Sequence, residues 1–179
     1  MIKNQEVNGG SWQLLGTFSF NAAAYSVRLT DNANEIVIAD AIRLVPAAAP
    51  SEIIVDNPAA AFVGTWSTST STAGYYGSNY QYNSAGTGTH TAQWSFTIPS
   101  AGSWQVYARW TGGSNRATNA PYTVNHAGGS TTVIKNQEVN GGSWQLLGTF
   151  PFNAAAYSVR LTDNANEIVI ADAIRLVKT

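Results

Sequence analysis

Aromatic rings beside planar amide or guanidinium groups occur at three places: Tyr75, Tyr76 and Tyr80 in a Gly/Ser-rich stretch, Trp110 followed by Asn115 and Arg116, and Tyr122 with His126. An exposed ring stacks on the C–H face of a pyranose, and amide or guanidinium groups around it form paired hydrogen bonds to hydroxyls. These eight residues are therefore candidate glycan contacts. The plainer reading is packing, because rings in a β-rich chain more often fill the core or anchor a loop. Trp94, Trp104 and Trp144 lie in alternating patterns and are expected inside.

Other chemistry is thinly supplied. His90 and His126 are the only histidines, cysteine is absent, and no HExxH or Asp-rich loop is present, so no metal site is expected. The stretch Asp163-Asn164-Ala165-Asn166-Glu167 has oxygen ligands, but without calcium-loop spacing it reads as a turn. Asp172 and its repeat equivalent Asp40 are acids within apolar strands, which demands a partner; Arg175 or Arg160 could supply it, as could a backbone-bonded turn. No Gly-x-Ser-x-Gly, P-loop or dinucleotide fingerprint occurs, no cofactor is implied, and an enzyme is the least supported class.

The elements that would position these groups are strands. Charged residues make up only 11% of the chain against 44% hydrophobic, and Gly, Ser, Thr, Asn and aromatics abound. Net charge is −1 with nine scattered cations, which leaves no footprint for nucleic acid or an anionic membrane. Thr89 to Pro99 alternates Ala92, Trp94, Phe96 and Ile98 on one face, and Ser103 to Trp110 alternates Trp104, Val106 and Ala108. With Ser100-Ala101-Gly102 between them, the two are expected to form a hairpin. Trp66 to Asn83, with four tyrosines, reads as a packed aromatic loop or strand edge. Eight or nine short strands at regular spacing predict an all-β sandwich or jelly roll.

One feature dominates the organisation. Ile2 to Val45 recurs 132 positions later as Ile134 to Val177, with Ser19 replaced by Pro151 the single difference. Residues 1–45 are thus a partial repeat of 134–177, followed by a Pro/Ala linker at 46–51 and a complete sandwich at 52–177. Near-identity means recent tandem duplication, or an engineered duplication or circular permutation.

The motifs AFVGTWSTSTSTAGYYGSNYQY, WSFTIPSAGSWQVYARW, APYTVNHAGGSTTVIKNQ, WQLLGTFPF and VIADAIRLV, in that order, resemble the golvesin C-terminal and xanthan-lyase carbohydrate-binding-like family. The resemblance covers about Ile53 to Val177. It implies a galactose-binding-like jelly roll carried by secreted or surface bacterial proteins, with glycan binding or interaction as its role. An extracellular or cell-surface location is expected, with any export signal outside this sequence.

The repeat at 2–45 is then the last third of a sandwich without a body, and the body from Glu52 to Val133 has two possible complements. The directly connected C-terminal copy is expected to win in a monomer. That leaves Trp12, Leu14, Phe18, Val27, Ile36 and Ile38 of the first copy as an association surface. Self-association by strand donation or domain swapping is the leading expectation for function, with carbohydrate binding the alternative.

Overall fold

The computed structural model describes residues 1–20, 23–45 and 51–179. The expected linker at 46–51 falls outside the described residues except for Ser51. The chain divides into two compact units, Met1–Ala48 and Ala49–Thr179.

The C-terminal unit is an all-β jelly-roll sandwich. Its strands are β1 (Glu52–Val55), β2 (Ala61–Val63), β3 (Ser67–Ser69), β4 (Tyr80–Asn83), β5 (Thr91–Thr97), β6 (Gly102–Arg109), β7 (Ala120–His126), β8 (Gly129–Lys135), β9 (Gln145–Phe152), β10 (Ala156–Thr162), β11 (Val169–Ala171) and β12 (Ala173–Lys178). They form three sheets in the orders β1-β12-β6-β9, β2-β5-β10-β7-β8 and β11-β4-β3. Alternation does the sorting: Ala92, Trp94, Phe96 and Ile98 from β5 and its end meet Trp104, Val106 and Ala108 from β6 in one buried cluster.

The expected β5–β6 hairpin does not form. β5 pairs with β2 and β10, while β6 pairs with β12 and β9, so the Ser100-Ala101-Gly102 turn carries the chain from one sheet to the other. Both strands have one buried face, and such a pattern fits opposed strands in a sandwich as well as paired ones. β7 and β8 do form a hairpin through Gly128-Gly129. Opposite Val106 and Tyr107 the β9 register slips, and the extra residue Leu147 is buried.

Residues 134–177 complete the body. β9 closes one sheet edge, β10 lies between β5 and β7, β11 pairs with β4, and β12 lies between β1 and β6. No two of these four strands pair with each other. Pro151 lies on β9, an edge strand, where a missing N–H costs no ladder bond.

The N-terminal unit has the same sequence without those partners, and its described residues up to Val45 form no paired strand. Local structure nevertheless persists. Gln5 bonds both backbone groups of Ile38 at 2.9 Å, as Gln137 bonds both of Ile170 at 2.8 Å. Asn8 and Asn140 have φ of 61° and 58°, and Phe20–Tyr25 and Phe152–Tyr157 make edge-on ring pairs at 4.8 and 4.9 Å.

Candidate functional site

The polar loop after β6 turns tightly, with Arg116 N–H donating to Gly113 O, and runs beside Ile168 in a parallel bridge. That bridge brings Arg116 to the sheet of β3 and β4, from which it is remote in sequence. A cavity of about 220 Å³ results, lined by Ser69 and Ser71 near the end of β3, Tyr80 and Tyr82 on β4, and Asn115, Arg116 and Ile168. It falls below the roughly 300 Å³ at which sites for drug-sized ligands begin, so its scale suits one sugar residue rather than a run of them.

Arg116 is 92% buried and forms no salt bridge among the described residues, where the arginine–carboxylate pair is Arg175–Glu52. Its Nη1 donates to Asn115 Oδ1 at 2.8 Å and its Nη2 to Thr72 Oγ1 at 3.3 Å, while its buried Nε has no partner. A buried guanidinium bonded only to neutral oxygens retains most of its capacity for an anion. The Tyr80 hydroxyl lies 3.2 Å from Ser71 Oγ. Burial pushes that phenol up, but hydrogen bonds with Ser69, Ser71 and Thr72 and the Arg116 charge outweigh it, leaving the pKa at about 8 instead of 10.0.

Of the eight expected contact residues, Tyr80, Asn115 and Arg116 come together here. Tyr75 is half-buried, with its ring 6.1 Å from Tyr80, and packs on the core. Tyr76 turns the other way, 5.6 Å from Trp144. Trp110 and Tyr122 present no face to solvent: both are core rings 6.3 Å apart, and Tyr122 Oη is held by Gln137 and Ile170 O. Burial pushes the Tyr122 phenol up, with the Gln137 bond opposing it. His126 stacks on Phe150 at 5.0 Å, distant in role from the cavity. The residues missed, Ser69, Ser71, Thr72, Tyr82 and Ile168, lie in Ser/Thr runs and strand ends with no local signal.

Trp144, expected in the core, is half-buried at the surface with Arg109 and Arg175 each 5.8 Å from its ring. Asp172 is fully buried, and its partner is neither Arg175, which pairs with Glu52, nor the exposed Arg160: both carboxylate oxygens accept from Tyr76 N–H at 3.1 Å. Burial raises its pKa to about 8, with the Tyr76 bond opposing, Asp56 adding and Arg109 subtracting. Asp40, expected to be buried like its equivalent, is exposed because nothing in its own segment covers it. Asp163 clasps the loop before β5, accepting from Gly88 N–H at 2.8 Å and His90 N–H at 3.2 Å. Among the described residues no three His, Cys, Asp or Glu side chains gather as a metal site, and no helix is long and apolar enough to cross a membrane.

The family model described as the golvesin C-terminal domain matches residues 2–46 and again residues 53–178. The chain belongs to the golvesin C-terminal domain family. A xanthan lyase of Bacillus sp. (strain GL1) is 36% identical over 134 residues, covering 70% of this chain and 14% of that protein. The structure of a Paenibacillus xanthan lyase superposes with a TM-score of 0.69 at 40% identity, over 72% of this golvesin-type chain and 13% of the lyase. A family 35 carbohydrate-binding module from Clostridium thermocellum matches with a TM-score of 0.52 at 21% identity, over 73% of this chain and all of that one. The golvesin-type domain is therefore carbohydrate-binding-module-like in fold, and the chain spans about one-seventh of the length of the lyases it resembles.

Proposed function

We propose that the C-terminal unit is a non-catalytic saccharide-binding module, and that the cavity between β3, β4 and the loop at 113–116 takes one sugar residue bearing a carboxylate. The observation that carries this reading is Arg116, a buried guanidinium with no acidic partner, which lines a cavity of hydroxyl and amide groups. A planar carboxylate matches the guanidinium fork in two bonds at once. The sugar hydroxyls would meet Ser69, Ser71 and Asn115, and Tyr82 offers a half-exposed ring. Similarity to carbohydrate-binding modules supports the fold on which such a site sits, and similarity to xanthan lyases supports an extracellular setting beside a polysaccharide. A glycan array with neutral and uronate-bearing members tests the proposal. Acidic members should be retained, and Arg116→Ala, checked for native circular dichroism, should weaken them by about tenfold or more. An array on which neutral and acidic members bind alike, or on which Arg116→Ala changes nothing, would sink it.

A second reading, self-association through the duplicated segment, is favoured by the local structure that the N-terminal copy keeps without a body. Val27 and Ile38 are more than half exposed, whereas their equivalents Val159 and Ile170 are fully buried. Light scattering on the intact chain should give a dimer or larger species, and deletion of residues 1–48 a monomer; a chain that is monomeric before deletion removes this reading.

A further inference from the structure

The N-terminal unit contains an apolar slot of about 490 Å³, lined by residues between Leu14 and Phe20 on one side and Arg43, Leu44 and Val45 on the other. Each of its eight lining residues has an equivalent 132 positions later, and each of those equivalents pairs with β6. Leu14, Phe18 and Phe20 correspond to Leu146, Phe150 and Phe152, which oppose Tyr107, Trp104 and Gly102. Arg43 and Leu44 correspond to Arg175 and Leu176, which oppose Tyr107 and Val106. In the C-terminal unit β6 fills this position between β9 and β12.

Two contacts of the β6-filled copy persist at the slot and beside it. Arg43, from one wall, lies 5.9 Å from the ring of Trp12 at the start of the other, against 5.8 Å for Arg175 and Trp144 with β6 in place. The Gln5 amide fixes Ile38 as Gln137 fixes Ile170. Phe18 and Leu44, at 60% and 72% exposure, carry apolar surface that Phe150 and Leu176 bury.

We propose that the N-terminal copy is a strand receptor, and that its slot accepts the strand Gly102–Arg109 of a second copy of this chain. Backbone N–H and C=O groups on both walls would pair with the entering strand, and the side chains of Trp104 and Val106 would cover Phe18 and Leu44 as they cover their equivalents. The strand must be free to enter. In a folded chain it is already held by a C-terminal copy tethered at high effective concentration, so the slot captures strands from chains not yet closed on their own complement. This occupant deepens the self-association reading, but the two can fail separately.

The test is a fluorophore-labelled peptide of residues 102–110 titrated into the intact chain, read by anisotropy and by hydrogen exchange. Expected are saturable one-to-one binding and new protection at the amides of 14–18 and 43–45, with those of 146–150 unchanged. Phe18→Asp with Leu44→Asp in the chain, or Val106→Asp in the peptide, should each weaken binding by at least about tenfold. Retention of peptide by a chain that is monomeric in light scattering would support the receptor while removing spontaneous self-association. Lack of saturable binding, or binding that survives both sets of substitutions, overturns the proposal. A dimer whose slot amides are protected before peptide is added supports the proposal if excess peptide displaces it to monomer, and overturns it if excess peptide leaves it intact, because two slots would then cover each other.

Discussion

Residues 2–45 and 134–177 are one sequence in two environments. In the second copy Gln137 is fully buried and bonds Tyr122 as well as Ile170; in the first, Gln5 makes the same pair of bonds to Ile38 in the open. Gly141 packs so closely on Gly112 that a Cβ would lie 2.1 Å from its nitrogen, while a Cβ on Gly9 would meet nothing within 4 Å. Ile168 lines the cavity beside Arg116, and its equivalent Ile36 is 89% exposed. Some features belong to the segment and others to the body. Turns, side-chain staples and ring pairs are local. Strand pairing, burial and the site require the body, since every ladder of the segment runs to β1, β4, β5, β6 or β7.

The same substitution made in both copies should have unequal effects. Gln137→Ala removes the partners of Ile170 N–H, Ile170 C=O and Tyr122 Oη inside the core, and should lower the unfolding free energy of the C-terminal unit by roughly 2–4 kcal/mol. Gln5→Ala should change it by less than about 0.5 kcal/mol, both read by denaturant titration. Gly141→Ala should cost about 1–3 kcal/mol or more through the backbone clash, and Gly9→Ala essentially nothing. Equal effects within either pair would mean that the first copy is packed as the second is.

Smaller effects sharpen the electrostatics. Asp172 is raised from 3.8 to about 8, so between those values the folded chain holds a proton that the unfolded chain has lost, and stability falls as pH rises through that window. Asp172→Asn should abolish that fall and stabilise the fold near pH 8 by on the order of 1–3 kcal/mol, seen as a flat melting temperature from pH 5 to 8. Asp40→Asn, at an exposed position, should leave the profile unaltered. At the cavity, Tyr80 faces Arg116 together with the neutral side chains of Tyr75 and Tyr82. Its ionisation above pH 8 would neutralise Arg116 and repel a carboxylate. Affinity for an acidic saccharide should therefore decline by several-fold between pH 7 and 9, and Tyr80→Phe should remove the decline.

Much of the fold was legible because alternation marks a buried face. The inward set Trp94, Phe96, Trp104 and Val106 follows directly from period two, and the same rule extended by one step places Trp110 after Ala108, and Tyr122 between Ala120 and Val124, inside. Both have polar neighbours that suit ligand contact, but the strand pattern argues for the core. Which strands pair was not legible, since a turn of three residues can close a hairpin or cross between sheets. In the site, Asn115 and Arg116 could be named as neighbours in a polar loop. Thr72, Ser69 and Ile168 could not, because the Arg116–Ile168 bridge joins positions about fifty residues apart and leaves no trace in either stretch. Leu14 was expected to need cover, yet its equivalent Leu146 is itself 42% exposed, so only part of the association surface is surface that the sandwich would bury.

Contact between a saccharide carboxylate and the Arg116 guanidinium is read by nuclear magnetic resonance on the 15N-labelled chain, with the Arg116 Nε–H as reporter. Addition of a glucuronate-bearing saccharide should shift the Arg116 Nε–H and Ile168 amide signals together and leave the Ile36 amide unmoved. Shifts confined to residues 2–45, or a stationary Arg116 signal at saturating saccharide, would contradict it.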